Sequence, residues 1–400
     1  MEFSRGKNSR KQMKTSRQIW PLTKRYYSKI RQAKNNGQLI AWAFAFPPPE
    51  ILHAMDIPFI MPEHYSSVLA AKQQVTPYLE ISDECGYPME ACSYHRALLG
   101  VCLSGEEMIF PPPDFIFATN FCDPSYKALL QIVEQYKVPY YLMDIPFCES
   151  EEAPEEAVEY CRSQLEEFID LASKVTGKSY DAQRLYSTCE WANGCYNLWV
   201  EINELRKRIP CPMGVVDEMG DIFPMMQLAG TKEAVAIYEM LLAEVKERVA
   251  QGEGIVEEEK HRLIWVGSNP IYDNGILDCF EEYGAALVKS DMDCTYTMKI
   301  DLEDPLKSLA QKMISNYWTG SIKKRIKIIK DLIRDYQAQG LVMFSQRNCR
   351  SFSVGHKAVK DAIQDEFGIP VLNLEGDMID LRGYNAQELR SKIEEFIEIL

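Results

Sequence analysis

The chain has 400 residues, 46% hydrophobic and 26% charged, with 21 Gly and 21 Pro, a composition that excludes collagen-like and disordered chains. Forty-four Lys and Arg against 59 Asp and Glu give a net charge of −15, so the chain as a whole lacks the cations that a nucleic-acid backbone demands. At roughly 100–200 residues per domain, two or three domains are expected rather than one small module.

Charge is unevenly spread along the chain. Residues 1–36 carry eleven Lys or Arg against Glu2 alone, making this segment +10 and the remainder −25. We read 1–36 as a basic N-terminal leader or helix with a solvated surface. No apolar run of about seven or more follows it, so no secretory signal is expected. No run of about 18 apolar residues occurs either, so no membrane span is expected and the location reads as cytoplasmic. Twelve cysteines are too dilute for a disulfide scaffold, and in that compartment they stay reduced.

Short apolar runs bounded by Pro, Gly or Asn predict eight strands. Four are early, at 39–46, 57–61, 115–120 and 138–145. Four are late, at 263–267, 285–290, 341–345 and 369–374. Nearly continuous apolar character implies strands covered on both faces, as in parallel sheets. The two groups share one plan. Segments 115–146 and 341–377 each read strand, Cys, amphipathic helix, then a strand opening with Pro, and 39–62 parallels 263–292. The expected fold is α/β, with two similar Rossmann-like domains at 37–149 and 256–400. Each has a small parallel sheet of about four strands with right-handed crossovers. Residues 150–255 are rich in Glu, Leu and Ala at helical spacing and read as a helical bridge.

Ligands of open parallel sheets bind at the carboxyl ends of strands, and Cys122 and Cys349 both fall there. If the two carboxyl edges face one another, these thiols meet across an interdomain cleft. Glu63 follows Pro62 at another strand end, where a carboxylate can serve as acid or base, or can simply complement a helix dipole. Cys92 and His95 have a metal-compatible spacing, although zinc would need two further ligands. Cys85 and Cys148 are spares, whereas Cys161, Cys189, Cys195 and Cys279 read as packing residues. No C-x-x-C occurs, which removes thioredoxin chemistry and zinc ribbons.

The string 172–179 satisfies a relaxed phosphate-loop pattern in the wrong context. A helix precedes it, Gly177 suits a helix C-terminus and Asp181 suits the next N-cap. Residues 322–333 form a basic amphipathic segment, expected as a solvated helix face that can also hold a partner or an anionic cofactor tail.

From residue 38 to the end, the sequence resembles the family of 2-hydroxyacyl-CoA dehydratase and benzoyl-CoA reductase subunits. The resemblance rests on IPFIMPEHYSSVLAAKQ with Glu63, YPMEACSYHRALLG with Cys92, FIFATNFCDPSYK with Cys122, EEEKHRLIWVGSNP, FSQRNCRSFSVGH with Cys349, and IPVLNLEGDMID. It implies a B-type, cluster-bearing subunit holding a 4Fe-4S cluster through Cys92, Cys122 and Cys349 in the interdomain cleft. It also implies a heterodimer with a related second subunit, a separate ATP-hydrolysing iron–sulfur activator, and single-electron chemistry on an acyl- or aryl-CoA. Glu63 is then the residue that handles a proton, with Tyr94 and His95 beside the cluster ligands. Nucleic acid and membrane are not expected as partners.

Ala43 stands after Trp42 where dehydratase subunits of this type often carry Ser, which favours a second reading as a non-catalytic partner or electron-relay subunit. The RNCRSFSVGH segment looks more like the reductase branch. A double-cubane reductase of the same superfamily ranks lower, because nothing between Cys294 and Cys349 supplies its extra cysteines. A zinc-stabilised structural protein using Cys92 and His95 is the outsider.

Overall fold

The computed structural model describes residues 12–106, 108–150, 152–318 and 320–400. All eight expected strands are present, in two wholly parallel sheets. The first contains β1 (Ala41–Ala43), β2 (Phe59–Ile60), β3 (Phe115–Thr119) and β4 (Tyr140–Met143) in the order β2-β1-β3-β4. The second contains β5 (His261–Val266), β6 (Ala285–Ser290), β7 (Gly340–Gln346) and β8 (Val371–Gly376) in the order β6-β5-β7-β8. The two orders are the same, position for position. β1, β3, β6 and β7 are buried along their whole length, which is why their sequences are nearly unbroken apolar runs. Trp42 on β1 and Trp265 on β5 occupy matching first-strand positions. Both are fully buried, and each indole N–H is satisfied by a backbone carbonyl, Pro111 O at 3.1 Å and Gly267 O at 2.9 Å.

Between the sheets run three long helices, Glu155–Thr176, Ala182–Arg206 and Lys232–Gln251, with two short ones, Val215–Asp221 and Phe223–Gln227. The phosphate-loop look-alike is two helix ends. Thr176 closes one helix, Gly177 takes φ +72° as its C-cap, and the Asp181 side chain accepts the backbone N–H groups of Gln183 and Arg184. A buried ion network fastens these helices to the second sheet. Arg206 meets Glu218 at 2.5 Å, Lys289 on β6 meets Glu218 at 2.7 Å and Asp293 at 2.5 Å, and Trp199 Nε1 donates to Asp293 at 2.7 Å. Charges this deep persist because each has several partners; removing one would strand the others.

Of the basic N-terminal segment, residues 1–11 lie outside the described residues. The remainder departs from the expected solvated leader. Ile19–Asn35 is a helix that buries Leu22, Tyr26, Tyr27 and Ile30 while Lys24, Arg25, Lys29 and Arg31 face water. The Tyr26 hydroxyl donates to the carbonyl of Phe59 on β2, and the Tyr27 hydroxyl bonds His64 Nδ1 at 2.7 Å. Counting charges hid this face, because a composition average registers the exposed cations and not which face of the helix each residue occupies.

His64, packed between Tyr27 and Phe223, is held down to about 4 by burial, and burial does the same to His356. Both imidazoles are neutral in the fold and take a proton at their ordinary value of 6.5 once unfolded. The stability they contribute is complete above pH 6.5 and is lost as pH falls toward 4, by at most about 3 kcal/mol each. Urea unfolding at pH 7 and pH 4.5 should show this loss, and His64→Asn should flatten part of it. Equal stability at the two pH values contradicts the assignment.

Candidate functional site

In each sheet the first and third strands are neighbours with their crossovers leaving in opposite directions, so a crevice opens between β1 and β3 and between β5 and β7. Cys122 and Cys349 sit at these two crevices, each three residues past the end of its third strand, β3 ending at Thr119 and β7 at Gln346. Cys122 is the N-cap of the Asp123–Tyr136 helix, and Cys349 precedes the Arg350–Ser353 turn of helix. Cys92 is the N-cap of the Ser93–Ser104 helix, which leads into β3. Gly267 ends β5 at φ +99°. A Cβ there would lie 2.8 Å from the carbonyl oxygen of Phe344 and 2.7 Å from the Phe352 ring, so only glycine fits this close approach.

Asp377, just past β8, joins the Cys92 and Cys349 segments. Its Oδ1 accepts from Ser93 Oγ at 2.6 Å and from the backbone N–H groups of Ile379 and Asp380. Its Oδ2 accepts from Gln346 Nε2 at 3.1 Å and Asn348 Nδ2 at 3.4 Å. Asn348 also donates to Met89 O at 2.9 Å. The sulfurs share one electrostatic neighbourhood. Burial raises Cys122 well above its ordinary value, and the Cys92 and Cys349 sulfurs add to the rise. Burial followed by Cys92 pushes Cys349 up to about 12. Backbone amides of Ser125 and Phe352, facing these two sulfurs, offset only part of the effect.

Glu63 is the second residue of the Pro62–Ala71 helix, which starts directly after β2 with Pro62 at its first position. Its Oε1 accepts from the Ala45 backbone N–H at 3.1 Å and from Ser125 Oγ at 3.3 Å, and His95 Nε2 lies 3.7 Å away. Ala45 and Phe46 both adopt left-handed φ values, 52° and 59°, and the Thr119 hydroxyl secures the turn by donating to Ala45 O at 2.6 Å. Non-glycine residues take this conformation at a cost, which is met where the turn aims an amide at a functional group. Glu63 Oε2 is buried with no hydrogen-bond partner in the protein, as are both ring nitrogens of His95. Burial would lower the His95 pKa, but the neighbouring Cys92 and Glu63 outweigh it and push it up to about 9. Tyr94, two residues beyond Cys92, accepts from Ser67 Oγ at 3.1 Å, and burial raises its phenol.

Aromatic rings wall the other side. Phe46 lies 5.9 Å from Phe121, 5.5 Å from Tyr296 and 5.2 Å from Trp318, and Trp318 lies 4.4 Å from Phe352 near Cys349. The Trp318 indole nitrogen is buried without a partner.

Sequence reasoning missed Asp377, Ser125, Tyr296 and Trp318. Asp377 lay inside the quoted IPVLNLEGDMID segment, but nothing marked it as a clamp. The 322–333 segment also departs from a purely solvated face. In the Ile322–Asp335 helix Arg325 is buried, donates to the carbonyl of Phe352 and lies 4.3 Å from that ring. Cys161, Cys189, Cys195 and Cys279 are buried in the hydrophobic core, as expected of packing residues, while Cys85 is exposed. Among the described residues, no three His, Cys, Asp or Glu side chains surround a point where one metal ion would bind, so Cys92 and His95 find no zinc site to complete.

Comparison with known proteins places residues 44–400 in the family model of 2-hydroxyglutaryl-CoA dehydratase, D-component. The chain is 23% identical to the (R)-phenyllactyl-CoA dehydratase alpha subunit of Clostridium sporogenes, over 98% of this chain and 96% of that one. It is 24% identical to the benzoyl-CoA reductase B subunit of Thauera aromatica, over 94% and 91%. It is 20% identical to the (R)-2-hydroxyglutaryl-CoA dehydratase alpha subunit of Acidaminococcus fermentans, over 95% of both.

The clamp is testable without knowledge of any reaction. Asp377→Ala leaves the donors from Ser93, Gln346 and Asn348 without their acceptor and should cost about 2–4 kcal/mol in denaturant unfolding. Asp377→Asn keeps one acceptor oxygen and should lose less. A loss under about 0.5 kcal/mol for the alanine variant contradicts the clamp.

Proposed function

The chain belongs to the 2-hydroxyglutaryl-CoA dehydratase D-component family, and from that premise we propose that it is the cluster-bearing subunit of an enzyme acting on CoA thioesters, as a 2-hydroxyacyl-CoA dehydratase or an aryl-CoA reductase. The observation that carries this reading is the electrostatic coupling of three cysteine sulfurs, Cys92 buried and Cys122 and Cys349 half-buried, drawn from distant parts of the sequence. Left as free thiols, Cys122 and Cys349 resist ionisation, and charge on a neighbouring sulfur raises the cost further. A cationic cofactor shared by all three reverses that cost.

The donor set fits a 4Fe-4S cluster held by Cys92, Cys122 and Cys349 between the two sheet units, each thiolate on a different iron, so no single meeting point is required. When bound, such a cluster supplies low-potential single electrons and one iron without a cysteine ligand, open to an oxygen atom. The chain's own residues supply the rest. Glu63 is fixed through Oε1 by the Ala45 amide and the Ser125 hydroxyl, which leaves Oε2 to take or give a proton at the substrate. His95, its Nε2 3.7 Å from Glu63 Oε1, orients that carboxylate. The Phe46, Phe121 and Trp318 rings keep water from the substrate's reacting end.

The reading includes a related second subunit, in keeping with the subunit names of its relatives, and an ATP-hydrolysing iron–sulfur activator as electron source. The absence of a credible phosphate loop here suits a separate activator. The relay reading, in which this chain does no chemistry, keeps the cluster and drops the role of Glu63.

Anaerobically purified protein should contain about four irons per chain, and Cys349→Ala should lose them. Zinc in place of iron contradicts the proposal. Glu63→Gln should keep its iron yet lose at least about a hundred-fold in turnover, measured with the partner subunit, activator, ATP, a strong reductant and an acyl-CoA. Turnover unchanged in Glu63→Gln would leave only the relay reading.

A further inference from the structure

The buried stripe of the Ile322–Asp335 helix is Arg325, Ile329 and Ile333, spaced by four, so an arginine occupies a position where helical periodicity calls for an apolar side chain. Lys323 on the same helix is 82% exposed, against 5% for the Arg325 side chain. Taking a cation out of water is costly, and a fold keeps one where the charge is fully paired or put to use.

The pairing of Arg325 is incomplete. Nη1 donates to the carbonyl of Phe352, and the guanidinium lies against the ring of that residue. Nη2 lies 3.4 Å from His356 Nε2, on an imidazole that burial keeps neutral and whose Nδ1 bonds Ser345 Oγ at 2.6 Å. The counter-ion is Asp291, which follows β6 and has no solvent exposure. Its Oδ1 accepts from the Gly267 backbone N–H at 2.9 Å, whereas its Oδ2 stands 3.8 Å from Arg325 Nη2, too far for a hydrogen bond. Arg325 Nε and Asp291 Oδ2 are both buried without a hydrogen-bond partner.

The unspent charge faces Cys349. Phe352, whose carbonyl Arg325 holds, is the residue whose backbone N–H faces the Cys349 sulfur, so one guanidinium pins the turn that aims this amide. Its charge reaches the sulfur as well: burial and then Cys92 raise the Cys349 thiol, and Arg325 opposes the rise. Donors and cations set behind the sulfurs of a cluster stabilise its more negative, reduced form.

Resting on the cluster reading above, we propose that Arg325 is a positioning residue that makes the cluster easier to reduce, by holding the Phe352 amide on Cys349 and by lending a buried positive charge that Asp291 only partly cancels. The step is the uptake of one electron from the external reductant, and no bond forms or breaks in it.

An EPR-monitored redox titration with viologen mediators, on the anaerobically purified complex of this chain with its partner subunit, tests the proposal without turnover. The signal lost in Cys349→Ala identifies the cluster of this chain. At the wild-type midpoint, Arg325→Gln should lower the ratio of reduced to oxidised cluster at least about ten-fold, a shift of about 59 mV toward more negative potential for a one-electron couple. Asp291→Asn should shift the midpoint the other way. Opposite shifts from two contacting residues report charge, since loss of packing has no reason to act with both signs. An unchanged midpoint in Arg325→Gln, or no positive shift in Asp291→Asn, overturns the inference, while retained iron leaves the cluster reading standing. Should Arg325→Gln lose its iron, Asp291→Asn decides alone: a positive shift upholds the inference and any other result overturns it. Wild-type protein without iron removes the cluster reading, and this inference with it.

Discussion

Three sulfurs in one electrostatic neighbourhood, one buried and two half-buried, are the constraint on which the rest of the structure depends. A single buried thiol is an ordinary packing residue, and Cys102, Cys161, Cys189, Cys195, Cys211 and Cys279 are used that way. Cys92, Cys122 and Cys349 differ because each stands at the start of a helix beyond or before a strand, and the Cys92 sulfur makes the charged forms of Cys122 and Cys349 harder to reach. Packing alone has no use for such an arrangement. On the proposed reading a shared cationic group would turn that repulsion into joint coordination.

The duplicated topology makes the convergence possible. Two sheets with the same strand order present the same kind of crevice, and the third strand of each delivers a cysteine after the same number of residues. Asp377 then ties the Cys92 loop to the Cys349 loop, so Ser93 and Asn348, far apart in sequence, share one carboxylate. Glu63 comes from the same logic at β2. It is aimed by the left-handed turn at Ala45 and Phe46 and backed through His64 by the N-terminal helix.

All eight strands were legible because strands covered on both faces must be apolar throughout, and that pattern survives in a single sequence. Their ends were less legible. Residues 39 and 45–46 continue the apolar run of β1 beyond its backbone pairing, which reaches only from Ile40 to Phe44, since burial and strand pairing are separate demands. Charged residues were where sequence reading failed most. Arg206, Glu218, Lys289 and Asp293 look like surface residues in a list, and only their mutual satisfaction explains their burial. The same holds for Arg325, and for the N-terminal helix, whose tyrosines were outnumbered by lysines and arginines. Spacing placed the candidate cysteines and Glu63 at strand ends; the groups that hold them, Asp377 and Ser125, carry no sequence signal because one Asp or Ser resembles another until the chain folds.

The most direct test of the shared cofactor is anomalous scattering at the iron edge from crystals grown without oxygen. The account predicts one compact multi-iron peak within bonding distance of the sulfurs of Cys92, Cys122 and Cys349 together. Iron bound elsewhere, or three sulfurs with no metal among them in protein that carries its full iron content, would contradict it.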